Sequence, residues 1–280
     1  MRLHVFQLRE SYLLTATSLL VAILTIGFLE SIIGGVTQGG IRGNLLLILG
    51  ELLLLVPTIL VLRQRRIALR RIMPTRPFTM SGTLGSLLLT GGMLVLIEVL
   101  SRWLTPHFVM PEYLQSLPDQ IRWETPLEAA LLFTGGVVVA AITEEILFRG
   151  VLQQSLLYSY RSHMPALIVT TVIFALFHVQ YLFYLPAALE LVLLALTLAI
   201  IVDRTAILSL GMVSHAIFNL IAFLSLQQSE SETVLEPLPV GWLFLALITV
   251  LVALLLLYRQ PDALKEDVEF IEAPNLEEQD

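Results

Sequence analysis

Long apolar runs alternate with short polar breaks along most of the chain. A membrane-spanning helix needs roughly 20 mostly apolar residues. Windows of that kind fall near 12–36, 44–63, 82–104, 126–157, 164–184, 186–202, 206–225 and 240–258. The pair 186–202 and 206–225 is the least sharply divided. The breaks are an arginine-rich stretch after residue 62, a proline-bearing segment over 105–125, and the polar turns Tyr160 to His163 and Asp203-Arg204. This pattern predicts an all-α, polytopic integral membrane helical bundle of about eight transmembrane helices.

Charge adds an orientation. Arg63, Arg65, Arg66, Arg70, Arg71 and Arg76 crowd one loop, which the positive-inside rule places in the cytoplasm. Eight spans then put both termini, the Tyr160 to His163 turn, Asp203-Arg204 and Arg259 on that side. The opposite loops carry fewer basic residues, Arg42 and Arg122 being the exceptions. The segment 105–125, with Pro106, Pro111, Pro118 and Trp123, is expected to be an irregular interfacial connection. The paired glycines Gly34-Gly35, Gly91-Gly92 and Gly135-Gly136 are expected to serve close helix packing.

Composition agrees with lipid as the solvent: of 280 residues, 56% are hydrophobic and 14% charged, and mean hydropathy is +0.84. The formal charge of -7 comes from the end of the chain, where eight carboxylates face Lys265 alone. That tail, with Pro274, is expected to be disordered. The charge-balanced remainder argues against a nucleic-acid partner. There is no cysteine, which excludes disulfides, thiolate nucleophiles and lipidation of the chain itself. The first apolar run is too long for a signal-peptide core and is expected to be the first span.

Candidate chemistry comes from polar groups that lipid makes costly. An ionisable side chain deep in a bilayer costs at least about 2.5 kcal/mol on insertion scales and needs a reason to be there. Glu144-Glu145 sits in AAITEEILFRG, with Arg149 one turn beyond Glu145. Glu145 and Arg149 can therefore pair on one face, while Glu144 points about 100° away. The next polar-bearing spans supply His178, in FALFH, and His215 with Asn219, in HAIFN, on a common helix face. Glu144 and His178 lie 17 residues either side of Arg161, so antiparallel helices joined there bring them to one depth. His215 lies 11 residues past Arg204 and reaches that depth only if its turn sits higher.

A glutamate beside two imidazoles and an amide suits water activation. The carboxylate takes a proton, a histidine or a histidine-bound metal polarises the scissile carbonyl, and Asn219 stabilises the oxyanion. Glu144, His178 and His215 are also a ligand set for Zn2+ or another divalent metal with an open position for water. Metal-dependent and metal-free versions fit equally well.

EEILFR, FALFH and HAIFN, in this order on successive polar-bearing spans, resemble the motifs EExxxR, FxxxH and HxxxN of the CAAX-protease and bacteriocin-processing (CPBP, or Abi) family. The resemblance implies an intramembrane endopeptidase related to the type II prenyl-protein protease, which removes three residues after a prenylated cysteine. Glu144 would be the water-activating base, Glu145 and Arg149 its support, and His178, His215 and Asn219 the rest of the site. The chain would divide into N-terminal spans over 1–84, a protease core over 85–225, a last span over 226–259 and the tail over 260–280. The expected partners are the lipid bilayer and a membrane-protein or lipidated-peptide substrate.

Other readings set the contrast. A non-catalytic membrane scaffold or bacteriocin-immunity protein would keep the same fold. For Glu145 and Arg149 an ion pair that holds helix geometry is as good an account as direct chemistry, and for Asn219 so is an interhelical hydrogen bond. Phe174 and Phe218 are expected in core packing. Glu30, Glu51, Glu98, Glu128 and Glu190 also lie in or beside apolar windows and would suit a proton-coupled transporter, although the sequence gives them no partner pattern. His4, His107 and His163 receive no role. HExxH and GxSxG are absent, and Asp203 stands alone where aspartyl chemistry needs two.

Overall fold

The computed structural model describes residues 2–33, 40–116, 123–228, 236–261 and 268–270. The expectations for Gly34-Gly35, Pro118, Arg122, Lys265 and the tail after residue 270 lie outside them.

Burial along the helices is inverted relative to a water-soluble fold. Large apolar side chains such as Leu24, Phe28 and Ile32 in the first long helix, or Phe244, Ile248 and Leu255 in the last, are more than half exposed, while Ser11, Ser18, Asn44, Thr58, Ser86 and Thr90 are buried. Lipid solvates the former, and helix contacts take in the latter. Among the described residues, seven helices are long and apolar enough to cross a membrane. An eighth apolar helix is shorter, so the chain is an all-α polytopic bundle.

The helices follow one another as α1 (Leu8–Ile33), α2 (Gly40–Leu53), α3 (Val56–Gln64), α4 (Met80–Leu104), α5 (Pro126–Tyr160), α6 (His163–Phe177), α7 (Leu185–Thr205), α8 (Leu208–Gln228) and α9 (Val240–Leu257). α2 and α3 together make the second span. Pro57 lies in the first turn of α3, where its missing N–H is tolerated, and the chain turns at Leu54 and Leu55. α5 is 35 residues long, well beyond the roughly 20 that a bilayer requires. It opens with a capping box in which Thr125 and Glu128 bond each other's backbone N–H. Glu128 is thereby a helix cap.

The window 164–184 is not one helix. α6 stops at Phe177 after 15 residues, His178 leaves helical geometry at φ −109°, ψ 39°, and only a single turn follows over Val179–Leu182. The apolar run does not register the break. The turn between α7 and α8 falls at Ala206, in the left-handed region at φ 52°.

Contacts tie several breaks to one end of the bundle. Arg65 pairs with Glu10 and donates to the Val5 carbonyl at 3.3 Å. Leu208 N–H donates to Pro74 O at 2.8 Å, and Arg76 N–H to Ala206 O at 3.1 Å. His163 Nδ1 meets Asp203 Oδ1 at 2.8 Å, and Gln260 donates to Ser81 at 2.8 Å. Asp203 and His163 are therefore structural partners. Two three-residue strands, β1 (Arg2–His4) and β2 (Val268–Phe270), pair in parallel at this end. The first long helix thus begins and the last one ends at the same end of the bundle, an arrangement that an even number of crossings, with α6 as the eighth, would give.

Small residues set the helix spacing. A Cβ on Gly85 would lie 3.0 Å from Leu257, one on Gly92 3.0 Å from Val250, and one on Gly135 2.8 Å from Ile48. Gly92 and Gly135 meet the packing expectation, whereas Gly91 faces open space. Glu98 pairs with Arg102, and Glu190 bonds Ser101, so both belong to helix contacts.

The cysteine-free chain makes topology directly measurable. Single cysteines at Arg70 and Arg259 are expected to react with an impermeant maleimide from one face of sealed vesicles, and those at Val109 and Glu236 from the other. Labelling of Arg70 and Arg259 from opposite faces would contradict the even number of crossings.

Candidate active site

The helix that carries the two glutamates is not uniformly α. π-helical stretches over Phe133–Val139 and Ile146–Leu152 flank regular turns over Ala140–Glu145. Such turns are uncommon, and they concentrate at functional sites because they re-aim side chains and free backbone carbonyls. Gly135, Gly136 and Gly150 lie within them.

Glu145 and Arg149 are fully buried, and their side chains meet at 2.8 Å. The guanidinium also donates to Ala195 O on α7 at 3.1 Å and stands 4.5 Å from the Phe174 ring centroid. The same Glu145 oxygen meets His215 Nδ1 at 3.0 Å. Glu145 and Arg149 thus neutralise each other and fix the ring that α8 supplies, while Gln153, one turn on, donates to Ala199 O at 2.9 Å. Breaking such a pair strands a buried charge, at a cost of about 3–5 kcal/mol.

Glu144 is the free carboxylate. Its Oε1 is 3.9 Å from His178 Nε2 and its Oε2 3.9 Å from His215 Nε2, and Oε2 has no hydrogen-bond partner among the described residues. His178 Nδ1 contacts the Phe174 carbonyl at 3.0 Å, which can only accept, so Nδ1 carries the proton. His215 Nδ1 donates to Glu145 by the same logic. Both Nε2 atoms, when neutral, are then acceptors turned toward a third acceptor. Three lone-pair groups converge at separations too long for direct hydrogen bonds and suited to a bridging donor.

Phe174 braces both imidazoles, stacking on His178 at 4.7 Å and meeting His215 edge-on at 6.0 Å between centroids. It is buried, as expected of core packing, and its place one turn before His178 was the signal for this second role. Asn219 donates to Gly136 O at 3.0 Å and so satisfies a carbonyl in the first π-helical stretch. Its bond is interhelical and structural.

The depth of His215 is explained by its turn. A Cβ on Gly150 would lie 2.9 Å from Ile72 O and 3.8 Å from Leu208, so α8 starts level with residue 150 and not with Tyr160. Ten residues separate those levels, roughly 15 Å of helix. The turn sits higher, as His215 needed.

The donor types at Glu144, His178 and His215 suit zinc, and Nδ1 bonds that leave Nε2 free are the usual support for metal-bound histidines. Among the described residues no group of three or more His, Cys, Asp or Glu forms a closed metal cage, and the three donors stand 3.9 Å apart across Glu144.

Two contributors had no sequence signal. Thr143 donates to Glu51 Oε2 at 3.0 Å, which brings α2 to the site. Gly211 lies one turn before His215, and a Cβ there would stand 2.9 Å from Glu145 Oε2 and 2.6 Å from Val202.

Gly211→Ala is therefore expected to push Glu145 off His215. It should destabilise the protein by about 1–3 kcal/mol, measured by unfolding in detergent, whereas Gly91→Ala should leave the midpoint unchanged. Equal midpoints for the two variants would show that the close approach is not needed.

Among known families, the model described as "Rce1-like: Type II CAAX prenyl endopeptidase Rce1-like" matches residues 126–221. No curated protein and no solved structure matches the chain. The matched segment starts at the first residue of α5 and ends two residues after Asn219, so it contains all six motif positions. Over that segment the chain is similar to the type II CAAX prenyl endopeptidase family, in agreement with the family that the three motifs resemble.

Proposed function

We propose that the protein is an intramembrane endopeptidase that hydrolyses a peptide bond of a membrane-associated substrate by water activated at Glu144. The carrying observation is the convergence of three acceptors, Glu144 and the two Nε2 atoms, across gaps of 3.9 Å. A water molecule can donate to two of these groups at once, and a substrate carbonyl presented beside it would be within reach of attack.

The roles follow from the bonds each group already makes. Glu144 takes a proton from water, and the hydroxide oxygen bonds to the carbonyl carbon as the C=O pair moves onto oxygen. His215, its Nδ1–H held by Glu145, is oriented as the buried acid orients the imidazole of a serine-protease triad. In its protonated form it donates Nε2–H to the oxyanion. Collapse of the intermediate breaks the C–N bond, and Glu144 returns its proton to the leaving nitrogen. Arg149 keeps Glu145 an acceptor throughout, and Asn219 holds the helix geometry at Gly136. In the alternative version a divalent ion held by the two imidazoles and Glu144 would supply Lewis acidity, and gaps of 3.9 Å can be spanned by an ion as well as by water.

Similarity to the type II CAAX prenyl endopeptidase family supports a lipidated substrate, a protein whose C-terminal residues follow a prenylated cysteine. An extended chain anchored by such a group would present its peptide bonds near the membrane, where a site inside the bundle can meet them.

Glu144→Gln is expected to lower cleavage by about 10²–10⁴-fold without loss of membrane insertion. The measurement is a comparison of peptide ends in membranes that carry the wild-type or the variant chain. Cleavage that persists in Glu144→Gln would remove this mechanism. If EDTA abolishes cleavage and zinc restores it, the metal version replaces the metal-free one.

A further inference from the structure

α2 lies outside the segment that matches the family, yet one of its side chains reaches the turn that bears the catalytic carboxylate. Glu51 accepts a hydrogen bond from Thr143 at 3.0 Å and lies within electrostatic reach of Glu144. The same hydroxyl stands 2.9 Å from Val139 O and 3.3 Å from Ala140 O. A threonine hydroxyl has one proton, so carbonyls and carboxylate compete for it. Val139 closes the first π-helical stretch, so this competition falls where the helix changes pitch, five residues before Glu144.

We infer that Glu51 is a positioning residue for Glu144, acting through its hydrogen bond to Thr143. This rests on the hydrolytic reading above. Left to itself, a helical threonine bonds back to the carbonyl one turn earlier and bends its helix. Glu51 draws the hydroxyl sideways and fixes how the turn 140–145 is rotated, and hence where the Glu144 carboxylate points. α2 itself is held against α5, since a Cβ on Gly135 would lie 2.8 Å from Ile48 and Asn44 donates to Glu128 O at 3.3 Å. Asn44, Ile48 and Glu51 recur at helical spacing on one face of α2. The carboxylate is thus delivered from a packed element and not from a loop.

The test measures turnover in purified protein with a synthetic peptide spanning the bond whose cleavage depends on Glu144. Glu51→Ala is expected to lower kcat by about tenfold or more while KM stays within twofold, since a small misplacement of a reacting group is costly. Glu51→Gln, which keeps the acceptor and loses the charge, is expected to restore most of the rate. Thr143→Val should match Glu51→Ala, and the double variant should be no worse than either alone. Wild-type turnover in Glu51→Ala overturns the inference, and so does a Glu51→Gln as impaired as Glu51→Ala. If Glu51→Ala fails to insert, Thr143→Val decides in the same terms. Cleavage lost in Glu144→Gln but intact in Glu51→Ala removes the role of Glu51 alone, whereas the lack of any Glu144-dependent bond removes the hydrolytic reading and this inference with it.

Discussion

The buried ion pair between Glu145 and Arg149 is the constraint around which the site is built. Two charges in a medium that solvates neither must be satisfied by the protein, and Coulomb attraction alone does not repay their desolvation. A carbonyl, aromatic rings and an imidazole therefore crowd around them. Arg149 reaches the Ala195 carbonyl and the face of Phe174, and Glu145 takes His215 as a further partner. Each of these bonds positions another element: α7 through its backbone, α6 through Phe174, α8 through His215. The same contacts that make the pair tolerable assemble the three helices of the site.

The adjacent glutamates divide the labour because neighbours on a helix cannot share a face. Glu145 is spent on the ion pair and on orienting His215. Glu144, rotated away from Arg149, has the two Nε2 atoms opposite it and no donor of its own. A carboxylate left like this in an apolar interior is a liability in a protein that only has to fold. It is an asset where a water molecule must give up a proton, which is why the geometry favours an enzyme over a scaffold of the same shape.

Much of this was legible in the sequence. Apolar runs and their polar breaks gave the crossings, and three short motifs named five groups that do converge. What escaped depended on geometry without a sequence period. π-helical turns use the same residues as α-helical ones, so Phe133–Val139 and Ile146–Leu152 carry no distinct pattern. The window 164–184 is apolar throughout, and nothing in it marks the break that turns His178 out of the helix. Glu51 looked unpartnered because its partner is 92 residues away. Gly211 is one glycine among 16, and only the position of Glu145 gives it meaning.

α7 shows how backbone can serve a site that side chains define. It lies within the family-matched segment, yet none of the six motif residues belongs to it. Arg149 and Gln153, one turn apart on α5, donate to the carbonyls of Ala195 and Ala199, one turn apart on α7. Those carbonyls keep a second lone pair after accepting their own helical bond. A side chain from α5 can reach them only where α7 presents little bulk, and both positions are alanines that are fully buried. The requirement on α7 is therefore for small residues at helical spacing and not for any particular chemistry. A helix of this kind leaves almost no motif, and it still decides whether Arg149 can remain buried and hence whether Glu145 can hold His215.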